Sequence, residues 1–279
     1  MIERKKTQTV QIGSLRIGGG EDIAVQSMLK NATTDTEECI SQIERLSKAG
    51  CRLVRIAAAT RADTQAFSEI VKRSPIPLIA DIHFSPDRAI EAIEAGAAKI
   101  RLNPGNIKGS KNINRIIDAA GEHNTAVRIG INEASIRDLK SDTPLKERVS
   151  LMMSVMKDYV TLFEKKGFRN LVLSAKSSSA VRTIAVNRAL SENFDYPIHI
   201  GLTHAGLPQD AVIPSSVALG TLLAEGIGDT VRVSIAGDPV REIHTAKAIL
   251  QALALHRAEG VELVVCPTCA RCQQDVVKI

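Results

Sequence analysis

The feature that most restricts how this chain can fold is a repeat. Short apolar runs begin near Ile23, Cys51, Ile76, Lys99, Ala126, Asn170, Pro197 and Thr230, roughly 30 residues apart, which is the length of a strand–helix–strand unit. Helix-like stretches lie between them: Thr36 to Ala49, Pro86 to Ala95, Lys111 to His123, Pro144 to Lys166, Ala180 to Glu192, Ser215 to Glu225 and Pro239 to Arg257. Eight such units predict a (β/α)8 TIM barrel, an α/β fold. An open doubly wound sheet needs fewer units, and no G-x-G-x-x-G follows the first strand. Glycines after Ala49, Ala95, Lys166 and Glu225 stand where a left-handed residue closes a helix. Ahead of the repeat, a basic lead at residues 3–6 and the runs Val10 to Gly13 and Leu15 to Gly18 predict a hairpin that closes one end of the core. Hydrophobic residues make up 44% of the chain but aromatics only 3%. The core is therefore built from Ile, Val, Leu and Ala, as buried parallel strands require.

In such barrels the chemistry sits at the C-terminal ends of the strands. Here those ends are polar: Gln26, then Arg55, then Asp81 and His83, then Arg101, Asn103 and Asn106, then Arg128 and Asn132, then Lys176, then Thr203 and His204, then Arg232 and Ser234. Arg55, Arg101, Arg128, Lys176 and Arg232 are each embedded in apolar strand sequence. A cation buried in a strand is costly unless an anion meets it. Any one of them could pair with a carboxylate inside the barrel, but Asp81 is the only obvious acidic counterpart among the strand ends. Five cations converging on one mouth predict an anionic ligand such as a diphosphate or bisphosphate, which Arg matches in bidentate geometry. Asp81 and His83 share one strand face, and His83 is a candidate acid or phosphate donor. His123, His199, His244 and His256 receive no role.

Near the C-terminus, Cys266, Cys269 and Cys272 are spaced C-x2-C-x2-C, so three thiolates can converge on one metal ion or iron–sulfur cluster. Cys39 and Cys51 are isolated and read as structural. Five cysteines without a signal peptide do not make a disulfide framework, and a reducing cytoplasm is expected. The net charge of +5 is mild and lacks basic runs interleaved with aromatics, which points away from nucleic acid. No apolar run reaches membrane-spanning length, so no membrane association is expected.

Six strings of this sequence resemble a known family: Ala24-Val25-Gln26-Ser27-Met28, Ala80-Asp81-Ile82-His83-Phe84, Arg101-Leu102-Asn103-Pro104-Gly105-Asn106-Ile107, Arg128-Ile129-Gly130-Ile131-Asn132, residues 225–234 and Cys266-Pro267-Thr268-Cys269. In this order, over nearly the whole chain, they resemble the 4-hydroxy-3-methylbut-2-enyl diphosphate synthases of the non-mevalonate isoprenoid pathway. The resemblance implies a cytoplasmic homodimeric oxidoreductase that opens 2-C-methyl-D-erythritol 2,4-cyclodiphosphate by two-electron reduction, with a 4Fe-4S cluster fed by ferredoxin or flavodoxin. It implies that Arg55, Arg101, Asn103, Arg128, Asn132, Lys176, Arg232 and Ser234 bind the substrate and that Asp81 and His83 act beside it. Cys266, Cys269 and Cys272 are the expected metal ligands. The expected organisation is a substrate-binding barrel over residues 1–258 and the start of the cluster region over residues 259–279.

The sequence departs from the family pattern in three places. Thr203-His204-Ala205-Gly206 stands where the family has Thr-Glu-Ala-Gly, which makes His204 the expected acid. The family continues into a smaller domain that supplies a further Cys and a Glu, whereas this sequence stops at Ile279. Cys272 stands where the family more often has a non-ligand. Either the chain is a truncated form, poorly active alone, or Cys272 partly replaces the missing ligand. The alternative readings are a barrel that binds the cyclodiphosphate without catalysis, or another phosphate-binding barrel enzyme, of the pterin-binding type, with a zinc tail.

Overall fold

The computed structural model describes residues 2–103, 106–107, 109–136, 139–203, 206–257 and 271. A hairpin, β1 (Val10–Ile12) and β2 (Leu15–Ile17), precedes eight parallel strands. These are β3 (Ala24–Met28), β4 (Leu53–Ala57), β5 (Leu78–Asp81), β6 (Lys99–Leu102), β7 (Ala126–Asn132), β8 (Leu171–Lys176), β9 (His199–Ile200) and β10 (Thr230–Val231). Neighbours in space are neighbours in sequence, except that β10 pairs with β3. An isolated parallel bridge between Leu173 and Ile198 joins β8 to the start of β9, so pairing runs all the way round and the predicted barrel is closed.

A helix follows each strand: α1 (Thr36–Lys48), α2 (Arg61–Arg73), α3 (Pro86–Glu94), α4 (Ser110–Glu122), α5 (Leu145–Lys165), α6 (Ala180–Asn193), α7 (Pro208–Ala224) and α8 (Val240–Ala252). Their starts follow from local chemistry. The Thr60 hydroxyl accepts from the Asp63 amide while the Asp63 carboxylate accepts from the Thr60 amide, a complete capping box for α2. The glycines expected to close α1, α3, α5 and α7 all have positive φ. Gly226 has a second reason to lack a side chain, because a Cβ there would lie 2.3 Å from the Glu3 carbonyl oxygen. Helix α7 begins at Pro208, not at the expected Ser215. Pro214, just before the expected start, lies inside the helix; it costs one backbone hydrogen bond there without ending the helix.

Two apolar layers result. The larger lies between the strands and the surrounding helices. The smaller is the floor of the barrel, where Val10, Ile12 and Ile17 of the hairpin pack on Ala24, Leu53, Ile79, Ala126 and Val172. Each of these five is at or next to the start of its strand and faces inward, so the hairpin plugs the N-terminal end as the sequence suggested. Because a strand alternates faces with period two, the next inward residues are Gln26, Arg55, Asp81, Arg128 and Ser174. The apolar floor thus hands over directly to polar side chains. Ile12 is fully buried in this plug, and Ile12→Ala is expected to lower unfolding free energy by about 2–5 kcal/mol, measured by urea denaturation; a loss below about 1 kcal/mol would show that the hairpin does not seal the barrel.

Candidate functional site

The floor leaves the upper half of the barrel as a cavity of about 610 Å³ opening at the C-terminal rim. Six cations line it: Lys30, Arg55, Arg101, Arg128, Lys176 and Arg232. Asp81 is the one carboxylate among the lining residues. Asn132 and Ser234 also line it, and two glycines make room for the long side chains. A Cβ at Gly130 would lie 3.3 Å from Arg101 Nε, and one at Gly201 would lie 2.8 Å from Lys176 Nζ.

Asp81 is shared loosely among three donors. Its carboxylate oxygens lie 3.8 Å from Arg55 Nε, 3.6 Å from Arg101 Nη1 and 3.5 Å from His83 Nε2. Burial would raise its pKa, but Arg55, then His83, Arg101 and Arg128, outweigh that and hold the carboxyl below the usual range. The same hydrogen bond raises the pKa of the half-exposed His83. Arg55 also points its guanidinium at Met28 Sδ, 2.9 Å from Nη2, a weak acceptor. Burial and the neighbouring Arg232 and Arg101 bring Arg55 down to about 10 despite Asp81. Arg128, 2% exposed, is pulled well below its ordinary value by burial and by Arg55 and Arg101. Its Nε, like Arg101 Nε, has no hydrogen-bond partner among the described residues.

Arg232 is different, and it is the one cation of the five that meets the paired alternative weighed from sequence. It has a carboxylate of its own, Glu242 of α8, at 3.1 Å from both Nε and Nη2. Glu242 is fully buried and also accepts from Lys30 Nζ at 2.8 Å, Ser27 Oγ at 2.7 Å and the Ile235 amide at 3.2 Å. Burial would raise its pKa, but Arg232 and Lys30 bring it below the ordinary glutamate value. Counting Glu242 with Asp81, the cations still far outnumber the carboxylates.

Deeper in the barrel lie Gln26, one of the polar strand-end residues of the sequence reading, and Lys99, which that reading did not count among the inward cations. Lys99 and Gln26 are 0% exposed, and Lys99 Nζ and both amide atoms of Gln26 have no hydrogen-bond partner among the described residues. Burial, then Arg128 and Arg55, lower the Lys99 pKa well below the lysine range. The signal for Lys99 was present: Lys99-Ile100-Arg101-Leu102 alternates cation and apolar residue, so Lys99 shares the inward face of Arg101. His199, given no role from sequence, contacts Lys176. Asn103 is buried at the end of β6. Asn132 Oδ1 accepts from Ser135 Oγ at 2.6 Å, and Ser234 Oγ donates to the Leu202 carbonyl at 3.3 Å. His204, Cys266, Cys269 and Cys272 lie outside the described residues.

Fold and site together define a (β/α)8-barrel protein whose mouth is lined by an excess of basic side chains. Residues 7–247 match the model of the GcpE TIM-barrel domain, and the chain belongs to that family. It is 43% identical to the 4-hydroxy-3-methylbut-2-en-1-yl diphosphate synthase (flavodoxin) of Malacoplasma penetrans, over 98% of this chain and 75% of the relative. It is 44% identical to the Aquifex aeolicus protein of the same name, over 100% of this chain and 78% of the relative. Among solved structures, the dihydropteroate synthase of Stenotrophomonas maltophilia superposes with a TM-score of 0.65 at 16% identity, covering 89% of this chain and 98% of that one. The sialic acid synthetase of Leptospira borgpetersenii does so with a TM-score of 0.64 at 14% identity, covering 93% and 94%. These likenesses show the barrel alone.

Glu242→Gln leaves Arg232 and Lys30 without their carboxylate and is expected to cost about 3–5 kcal/mol of stability at pH 7. Because the folded pKa of Glu242 is depressed, its contribution is complete above the unfolded pKa and is lost as pH falls through the folded one. The gap between variant and wild type should therefore narrow below about pH 4. Glu37→Gln, which breaks an exposed pair with Arg73, should leave stability nearly unchanged. Equal losses in chemical denaturation would refute the buried-pair account.

Proposed function

We propose that this chain is a 4-hydroxy-3-methylbut-2-enyl diphosphate synthase, an oxidoreductase of isoprenoid biosynthesis. It opens 2-C-methyl-D-erythritol 2,4-cyclodiphosphate by consuming two electrons and two protons and releasing water. The observation that carries the reading is the cavity lined by six cations and one carboxylate, in a chain that belongs to this family. A cyclic diphosphate supplies the anionic oxygens this lining lacks, and the orphaned Arg128 and Arg101 Nε atoms are donors a phosphate oxygen can satisfy.

In this reading Arg55, Arg101, Arg128, Lys176, Arg232 and Lys30 hold the two phosphates, with Asn103, Asn132 and Ser234 contributing polar contacts. Their work is positioning and charge neutralisation. His83 keeps a proton more readily than an ordinary histidine because Asp81 accepts from it, which suits a donor to the oxygen that leaves. His204, in the place of the family's glutamate, is the second proposed acid.

The proposed redox group is a 4Fe-4S cluster. Among the described residues no three His, Cys, Asp or Glu side chains are grouped to hold a metal. Cys39 and Cys51 are buried, and burial pushes the Cys51 thiol up to about 12, so neither offers a thiolate. The soft-donor set falls to Cys266, Cys269 and Cys272, at the start of the proposed cluster region, residues 259–279. When bound there, the cluster supplies the electrons; flavodoxin, named with the relatives, is the proposed donor, ferredoxin the alternative. A cytoplasmic homodimer is the proposed setting, and no helix among the described residues is long and apolar enough to cross a membrane.

Arg128→Ala is expected to weaken cyclodiphosphate binding by about 2–4 kcal/mol in titration calorimetry. Lys72→Ala, on the exposed end of α2, should leave it unchanged. Equal affinity in wild type and Arg128→Ala would end the phosphate-mouth reading. Independently, anaerobic reconstitution with iron and sulfide should give a broad visible absorption that Cys266→Ser or Cys269→Ser abolishes and Cys51→Ser does not. A colourless chain that retains zinc would overturn the cluster assignment.

A further inference from the structure

Beneath the mouth, on its β9 side, lies a hydrogen-bonded chain. Lys176 Nζ, which lines the cavity, is 3.1 Å from His199 Nε2, and His199 Nδ1 is 2.7 Å from Thr230 Oγ1. His199 and Thr230 are both fully buried. We propose that His199 is a positioning residue for Lys176, and that anion binding in the mouth is coupled through this pair to the uptake of one proton. The proposal rests on the reading of the mouth as the cyclodiphosphate site.

The chemistry of the pair sets its states. An ammonium has no lone pair, so a charged Lys176 must donate to His199 Nε2. The imidazole is then neutral, with its proton on Nδ1 and donated to Thr230 Oγ1. An imidazolium would have no acceptor to offer Lys176. Burial, then Lys176, Arg128, Lys99 and Arg55, all hold His199 in that neutral form.

Lys176 itself is faced by Arg128 of β7, Arg232 at the end of β10, Arg55 of β4 and Arg101 of β6, and by His199 of β9. The carboxylates of the site, Asp81 on β5 and Glu242 on α8, are already engaged with arginines. Burial and this ring of arginines lower the proton affinity of Lys176 well below the lysine range. An arriving dianion reverses the local field. The Lys176 amine then takes a proton from solvent, forming an N–H bond whose acceptor is either a phosphate oxygen or His199 Nε2. Because the bound state holds more protons, affinity falls as pH rises, by up to about a factor of ten per pH unit for one proton.

The ligand suits the test. Each phosphorus of a cyclic diphosphate carries a single, strongly acidic ionisation, so the ligand does not titrate near neutral pH and any proton taken up belongs to the protein. Calorimetric titration of the full chain with the cyclodiphosphate, in two buffers of different ionisation enthalpy between pH 7 and 9, should show net proton uptake. Lys99→Met should retain the uptake, which separates Lys176 from the other buried amine. His199→Asn, too short to reach Lys176, should lose about tenfold in affinity and begin its fall with pH at a lower pH. His199→Gln, which can place a carbonyl oxygen near the Nε2 position, should restore both. A purely structural role for His199 would change stability without moving the pH profile.

Binding without proton exchange, uptake lost in Lys99→Met, or a wild-type pH profile in His199→Asn would overturn this proposal and leave the mouth reading standing. Glutamine behaving like asparagine would remove the acceptor role. No binding by the wild type would overturn both. Should the variants fail to fold, nitrogen NMR of wild-type His199 in the complex decides: an unprotonated Nε2 supports the proposal, a protonated Nε2 refutes it.

Discussion

Everything in the upper half of this barrel depends on one imbalance, cations held in a low-dielectric space with too few carboxylates. A buried charge is tolerable only when it is paired, hydrogen-bonded or shifted to its neutral form. All three solutions appear. Arg232 is paired with Glu242, Arg55 and Arg101 share Asp81 at distances too long for strong hydrogen bonds, and Lys99 and Lys176 are left to lose proton affinity; Arg128 keeps its charge, with Nε unpartnered among the described residues. In the proposed reading the interior is preorganised for an anion, whose binding offsets the cost of burying the cations.

The fold makes this arrangement affordable by separating its layers. The hairpin and the first inward residue of five strands form an apolar plug, so stability is collected at one end of the barrel and spent at the other. Glycine at positions 130 and 201 keeps the wall thin where Arg101 and Lys176 must lie along it. Glu242 extends the logic outward. It reaches from α8 to Ser27 on the outer face of β3 and to Arg232, which ties the last helix to the first and last barrel strands at the level of the mouth.

Much of this was legible in the sequence because strand and helix periods are local properties. The eight strands begin within two residues of their expected positions, and cations embedded in apolar strand sequence, as in Leu53-Val54-Arg55-Ile56 or Val231-Arg232-Val233, pointed to the mouth. What local patterns do not show is partnership. Glu242, two residues into α8 beside Arg241, reads as an ordinary solvated carboxylate of a first helical turn; only tertiary packing against β3 buries it. Lys30 lies past the end of β3 in a polar segment. His199 precedes Ile200 in a strand of two residues, too short to display a period. Pro214 concealed the first turns of α7 because a proline inside a helix has the same local signature as one at its start.

The barrel also explains why its chemistry needs something from outside it. In the proposed reading the mouth orients a diphosphate and holds protons, while the two cysteines among the described residues are buried thiols and neither lines the cavity. Helix α8 bears on how a cluster could reach the mouth. Glu242, near its start, touches the mouth, whereas Lys247 already lies 3.1 Å from the Cβ position of Gly50, in the turn before β4 at the opposite rim. The helix thus carries the described chain away from the mouth, so in the proposed reading the redox group comes to the cavity from outside the described residues.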